Sequence, residues 1–351
     1  MDLFTRLYGD ACVLEGLLMN PDILQRVTNA FRRAEASTPP DGEGGLLLEL
    51  RFDRLTCDGV DWEAAAAALP FLALRSLTFE DSYLGDRGLR VICRVLSTRV
   101  LHSSIAIVGE IPIRPAPRWL RSLVLKHTSL KDATPLMDVL AACPQLSFLD
   151  VSWNRLGVCV EGFVVFCRAL CVHPRLTGVD LSGNLLEGCR GSRVVRALSE
   201  LLVCCGRPES SLRALYLQEN QLGEYFLYSR TLMESREKVW GDGSPADSGG
   251  GTAFGSLDED PYFLNFRKTG SIQGESTSFA PSCMLLSEHP FMEALFLNNT
   301  IEELRLEGNG IPEGLLVWIE AKLRVNRRTR QQYMQQFSAQ KKDEHPITLG
   351  A

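Results

Sequence analysis

The sequence predicts an α/β solenoid in which short parallel strands line a concave face and helices cover the convex one. Two observations carry this expectation. The pattern Leu, two residues, Leu, one residue, Leu, two residues, Asn, one residue, Leu recurs along the chain, and apolar residues at helical spacing follow its copies. Composition sets the limits. With 351 residues, 45% hydrophobic and 23% charged, the chain can bury a sizeable core, and wholesale disorder is ruled out. At about 150 residues per domain the length suggests about two domains, but the repeat makes most of it one elongated array.

Taken in order, Leu3 to Ala34 read as two amphipathic helices split near Asn20 and Pro21. A first repeat left bare would expose core, so residues 1–45 are expected to be a helical cap and linker. The array spans 46–326. Weak copies of the pattern, lacking the Asn, start at Leu47, Leu74 and Leu120, and clean copies start at Leu146, Leu176, Leu212 and Ile301. In the copy at Leu146, Leu149 and Val151 are the inward residues of a strand, and Asn154 turns inward after it. There the amide can satisfy backbone groups of the neighbouring turn. Asn184, Asn220 and Asn309 hold the same place, so all four are assigned a structural role.

Helices follow the strands. Val160, Phe163, Val164, Cys167 and Leu170 recur at helical spacing until Pro174, as do Val194, Val195, Leu198, Leu201 and Leu202. Phe291, Leu295 and Leu297 supply the helix that leads into Ile301. Past Asn309 a final helix faces the core with Leu315, Ile319 and Leu323. Its basic end and tail are 327–351.

These residues carry a resemblance. The repeat is the leucine-rich repeat, and starts 26, 27 and 30 residues apart, with full helices, resemble the ribonuclease-inhibitor-like subclass from roughly Gly45 to Asn326. The resemblance implies a horseshoe. For function it implies only a range, because the subclass includes inhibitors, GTPase activators, innate-immune sensors, actin-regulating proteins and ciliary scaffolds.

The array is interrupted at about 97–119 and at 241–285. The first break, punctuated by Pro112, Pro115 and Pro117, reads equally as a partner loop or a connection. The second is rich in Gly, Ser and acid, which is linker chemistry. Within it Tyr262, Phe263 and Phe266 form an apolar cluster, read either as a segment that docks in a partner's groove or as a cover for the solenoid's own edge.

No catalytic constellation is found. The chain lacks a Walker-type loop, HExxH and GxSxG, and its five His fall in different parts of the repeat. No enzyme activity, cofactor or metal is expected. Cys167, Cys171 and His173 have a spacing that could suit a metal, but they sit among apolar residues and read as buried hydrophobes. Eleven scattered cysteines fit a reducing compartment. No apolar run reaches the ~18 residues needed to span a bilayer, and the N-terminus lacks a signal-peptide core. A cytoplasmic protein is expected, with the cytoskeleton or a cilium or flagellum as its place.

The residues between the Leu positions point into the hollow of the horseshoe. There Phe148, Trp153 and Tyr216 fall near Asp150, Asp180 and Glu219, with Arg305 in the last copy. Aromatics ringed by carboxylates suit a protein partner that presents a patch of Lys or Arg. The alternative is that Trp153 packs on its neighbouring turn and the acids solvate the sheet. From Lys322 to Lys342 there are seven Lys or Arg and no acid. Lys322, Arg324, Arg327, Arg328 and Arg330 could therefore contact a polyanion, either RNA or an acidic surface such as a tubulin lattice, or could form a solvated helix face.

The expected function is a non-enzymatic scaffold within a cytoskeletal, microtubule or axonemal assembly. One alternative is a GTPase-activating protein of leucine-rich repeat type, although members of that group carry an acidic tail where this chain is basic. A second alternative is a ribonucleoprotein-associated subunit that uses the basic helix to hold nucleic acid.

Overall fold

In the computed structural model, seven short strands pair in parallel and in chain order: β1 (Leu48–Asp53), β2 (Leu74–Glu80), β3 (Ser122–Lys126), β4 (Phe148–Asp150), β5 (Gly178–Asp180), β6 (Ala214–Tyr216) and β7 (Glu303–Arg305). Each strand lies at the centre of one copy of the sequence repeat. The structure describes residues 1–37, 47–55, 59–97, 119–186, 191–207, 210–222 and 290–343. They belong to one compact unit, Met1–Leu227 with Pro290–Ala351; a second unit, Tyr228–His289, falls outside the described residues, and with it Tyr262, Phe263 and Phe266.

Register explains the core. Leu50, Leu77, Leu123, Leu149, Val179, Leu215 and Leu304 are partners in one row that crosses all seven strands, and each is buried. Two residues on, Phe52, Phe79, Leu125, Val151, Leu181, Leu217 and Leu306 are buried as well. Because side chains alternate along a strand, both rows lie on one face and the residues between them lie on the other. The first two repeats carry Phe where later ones carry Leu or Val. Those rings pack with Trp62 at centroid distances of 4.9 to 5.2 Å.

Helices cover the buried face. In chain order α3 (Gly59–Ala68), α4 (Gly85–Ser97), α5 (Leu136–Ala142), α6 (Val160–Cys171), α7 (Gly191–Cys205) and α8 (Pro290–Leu297) each pack on the next. Leu89, Ile92, Cys93 and Leu96 of α4 and Val160, Phe163, Phe166, Cys167 and Leu170 of α6 are buried at intervals of three and four, which is one helix stripe. In α8, Phe291 and Leu295 are buried, and Leu297, its last residue, is 40% exposed. The helix ends there, and Asn298 turns the chain inward instead, donating from Nδ2 to the Leu202 carbonyl at 2.6 Å.

The two ends are closed differently. α1 (Asp2–Leu14) packs on α3, whose Ala64, Ala65, Ala66 and Ala68 are small enough to lie beneath the neighbouring helix. α2 (Pro21–Ser37) packs on β1, and Arg26 donates to the Asp53 carbonyl at 2.9 Å. At the far end a single helix, α9 (Glu313–Asp343), buries Ile319 and Leu323, with Leu315 half-buried. From α9, Asn326 donates to the Ile301 carbonyl at 2.7 Å and Arg327 to that of Glu302 at 2.8 Å.

Candidate functional site

An all-parallel sheet is usually covered on both faces. In this array the helices cover one, and the other carries the polar residues of each repeat.

Its geometry is set at the ends of the strands. In every repeat a left-handed residue follows: Arg54, Asp81, His127, Trp153, Gly183, Glu219 and Gly308, with φ from 50° to 73°. The next position turns inward and is Asn in the four clean copies. Asn154 donates to the carbonyls of Leu125 and Val151 at 2.7 and 2.9 Å and accepts from the N–H of Thr128 and Leu130 at 3.0 Å. Asn184, Asn220 and Asn309 repeat the bridge, each donating both to its own turn and to the previous repeat. In the second and third repeats, which lack the Asn, hydroxyls stand in, whereas the first carries Leu55. Ser82 donates to the Phe52 carbonyl at 2.6 Å, and Thr128 to that of Leu125 at 2.9 Å.

On this frame the open-face residues form straight rows. One is Glu49, Ser76, Ser122, Phe148, Gly178, Ala214 and Glu303; the next is Arg51, Thr78, Val124, Asp150, Asp180, Tyr216 and Arg305. Charges at the two ends are matched within the chain. Arg51 lies 3.4 Å from Asp53 and 3.3 Å from Glu80, which Lys126 also meets at 3.2 Å. Arg305 lies 2.7 Å from Glu303 and over the Tyr216 ring, and the Tyr216 hydroxyl donates to Glu303 at 3.1 Å. Burial and this bond to a carboxylate both push the Tyr216 hydroxyl pKa up.

The middle differs. Asp150 and Asp180 are register partners on β4 and β5, and each accepts a backbone N–H, from Ser152 at 2.8 Å and from Ser182 at 2.9 Å. Among the described residues neither forms an ion pair with Lys or Arg. Burial raises the Asp150 carboxyl above the usual range; hydrogen bonds from Ser152 oppose this, Asp180 adds to it and Lys126 offsets it.

Aromatic rings flank this pair. Phe148 leans over Gly178, where a Cβ would meet its ring at 3.0 Å, and Trp153 leans over Gly183, where a Cβ would meet its ring at 2.8 Å. Trp153 therefore packs on the neighbouring turn and still leaves 49% of its surface exposed. Glu219 lies over Gly308 in the following repeat. Sequence reasoning missed the hydrogen bond between His127 Nδ1 and Asp81, 2.7 Å apart on the same ridge of turns. Aligning the position before each Asn would have shown the two as neighbours.

The basic helix is largely tied down. Lys322 donates to Asn299 at 2.9 Å, Arg324 meets Glu320 at 3.2 Å, Arg327 meets Glu320 at 2.6 Å and Arg330 meets Glu302 at 3.1 Å. Burial opposes ionisation of Glu320, but hydrogen bonds from Arg327 and Arg324 hold its carboxyl below the usual range. Arg328 is exposed. Cys167 is buried in the core, and His173 donates from Nε2 to the Cys143 carbonyl at 3.1 Å, a packing role. Among the described residues no group of three or more His, Cys, Asp or Glu could hold a metal ion, and no helix is long and apolar enough to cross a membrane. No protein-family model matches the chain, and no curated protein matches it, so the chemistry of this face rests on its own residues.

Proposed function

We propose that this chain is a leucine-rich repeat protein of the ribonuclease-inhibitor-like kind, acting as a non-enzymatic scaffold that binds a basic protein partner on its open face. One observation carries the reading. Acids at either end of the face are matched by Arg51, Lys126 and Arg305, whereas Asp150 and Asp180 stand side by side, with no ion pair to Lys or Arg among the described residues, flanked by the half-buried ring of Phe148 and the exposed ring of Trp153. A Lys or Arg side chain of a partner would supply the missing charge at the two carboxylates. Its methylene stem would lie on the Phe148 ring, which adds buried apolar area to the charge contact.

Within that class the reading is a cytoplasmic scaffold of a cytoskeletal, ciliary or flagellar assembly, supported by the family resemblance. Proximity labelling from the tagged full chain in ciliated cells tests both levels. The expected result is a labelled set dominated by microtubule or axonemal proteins, much of it lost when Asp150→Lys and Asp180→Lys are combined. Uniform cytosolic labelling would end the cytoskeletal reading. Labelling that the charge reversal leaves unchanged would end the open-face reading.

A further inference from the structure

We infer that the turn between α1 and α2 is a docking knob, which inserts into an apolar groove rimmed by Lys or Arg on a partner protein. Val13, Leu14 and Leu18 are 78%, 85% and 92% exposed, and Met19 beside them is exposed as well. The array does not use them. α1 packs on α3 and buries a different stripe, Phe4, Tyr8 and Cys12, spaced by four residues.

Nor does the turn itself need them. α1 ends in a glycine cap, in which the N–H of Gly16, at φ +67°, donates to the Val13 carbonyl at 3.2 Å and that of Leu17 donates to the Cys12 carbonyl at 2.8 Å. Such a cap is commonly closed by one apolar contact, between the residue after the glycine and the one whose carbonyl it reaches. Those two are Leu17, half-buried, and Cys12, buried. Val13, Leu14 and Leu18 are surplus to it. Hydrogen bonds also hold the knob in shape. The Asn20 N–H donates to the Tyr8 hydroxyl at 2.9 Å, and Asn20 Oδ1 accepts from the Asp22 N–H at 2.9 Å. The Met19 sulfur lies over Gly9, 3.3 Å from where a Cβ would stand. A partner would gain the apolar contact with little ordering of this turn.

Charge decides what receives the knob. From residue 7 to residue 25 the chain has three acids, Asp10, Glu15 and Asp22, and no Lys or Arg. All three are exposed, and among the described residues none of them forms an ion pair. Asp10 lies one turn before Leu14 on the same side of α1, and Glu15 lies within the knob. Knob against knob, a second copy of this chain would set three acids against three. An anionic lipid surface would meet the same repulsion. Aliphatic side chains set among unpaired carboxylates match a groove whose floor is apolar and whose rim carries Lys or Arg.

The photocrosslinker p-benzoylphenylalanine at Leu18 of the full chain in cells captures what lies against the knob, with the exposed Val172 at the end of α6 as control. The expected adduct is a protein joined through an apolar peptide that also carries Lys or Arg. That protein, once purified, should bind the purified chain. Leu14→Ser combined with Leu18→Ser should weaken binding about tenfold or more without lowering the melting temperature. Asp10→Lys combined with Glu15→Lys should weaken it about tenfold as well. Yield at Leu18 no greater than at Val172, an adduct with a second copy of the chain, or a captured peptide carrying Asp or Glu in place of Lys or Arg would overturn the inference. So would binding that survives either double variant, or flotation of the chain with phosphatidylcholine vesicles that the serine variant abolishes.

Discussion

The Arg327 guanidinium donates to the Glu302 carbonyl at 2.8 Å, at the place where earlier repeats receive the next strand. The equivalent carbonyls of Arg75, Arg121, Ser147, Thr177 and Arg213 each accept an N–H from the following repeat, at 2.8 or 2.9 Å for the first bond. Arg327 ends the ladder by imitating a strand that is not there. Asn326 does the same beside it for Ile301.

Removing this cap should cost stability in proportion to what it leaves unpaired. Arg327→Met is expected to lower the unfolding free energy by about 1–3 kcal/mol, because a half-buried carbonyl and Glu320 both lose a donor. Arg328→Met, one residue on and exposed, should stay within about 0.5 kcal/mol. Urea unfolding of both variants checks the contrast. Equal effects would mean that the capping bond carries no stability.

Asn220→Ala should be more damaging. Its side chain donates to Leu181 and Leu217 and accepts from the N–H of Asn184 at 2.7 Å, all in the buried turn region. Leaving those groups without partners is expected to cost about 2–4 kcal/mol. The unfolding midpoint in urea measures it, and a loss below about 0.5 kcal/mol would refute the bridging role.

Gly183→Ala tests the seat of Trp153. The residue sits at φ +64°, and an added Cβ would meet the indole at 2.8 Å. A loss of about 1–2 kcal/mol is expected from the backbone conformation alone, with more from the clash. Adding Trp153→Ala should recover only the clash. Full recovery in the double variant would mean that the left-handed backbone is not strained.

His173 makes the stability pH-dependent. Burial lowers its pKa from 6.5, with its bond to the Cys143 carbonyl as the opposing influence. As pH falls below 6.5 the unfolded chain takes up the proton before the folded one does, so this contribution is full above 6.5 and is lost on acidification through the lowered folded value. Thermal melts from pH 7.5 down to pH 5 should fall less steeply for His173→Gln than for the unaltered chain. Parallel slopes would show that His173 does not titrate against folding.

How much of this was legible depended on the period of each signal. Leu149, Val151 and Asn154 could be read because their chemistry recurs at fixed spacing, and so could the two N-terminal helices. Ser82 and Thr128 were passed over because a hydroxyl can do part of an amide's work without matching the pattern. Ion pairs between repeats were hidden for another reason. Arg51 and Glu80 meet only once the register of β1 and β2 is known, and Lys126 and Glu80 bridge an interrupted repeat. Arg327 was read as a free cation because the repeat stops before it, leaving no pattern to show that it replaces a strand.

The straight rows of the open face also act as a ruler. Along a row the side chains advance one strand at a time, about 4.8 Å per step. An extended peptide laid across the strands presents same-side residues about 6.6–6.8 Å apart, and a helix rises about 1.5 Å per residue. Neither spacing stays in step with the rows for more than two or three strands. A partner that crossed the sheet would therefore fall out of phase with it, which would confine tight recognition to a window such as β4 to β6 and leave the outer rows to set orientation.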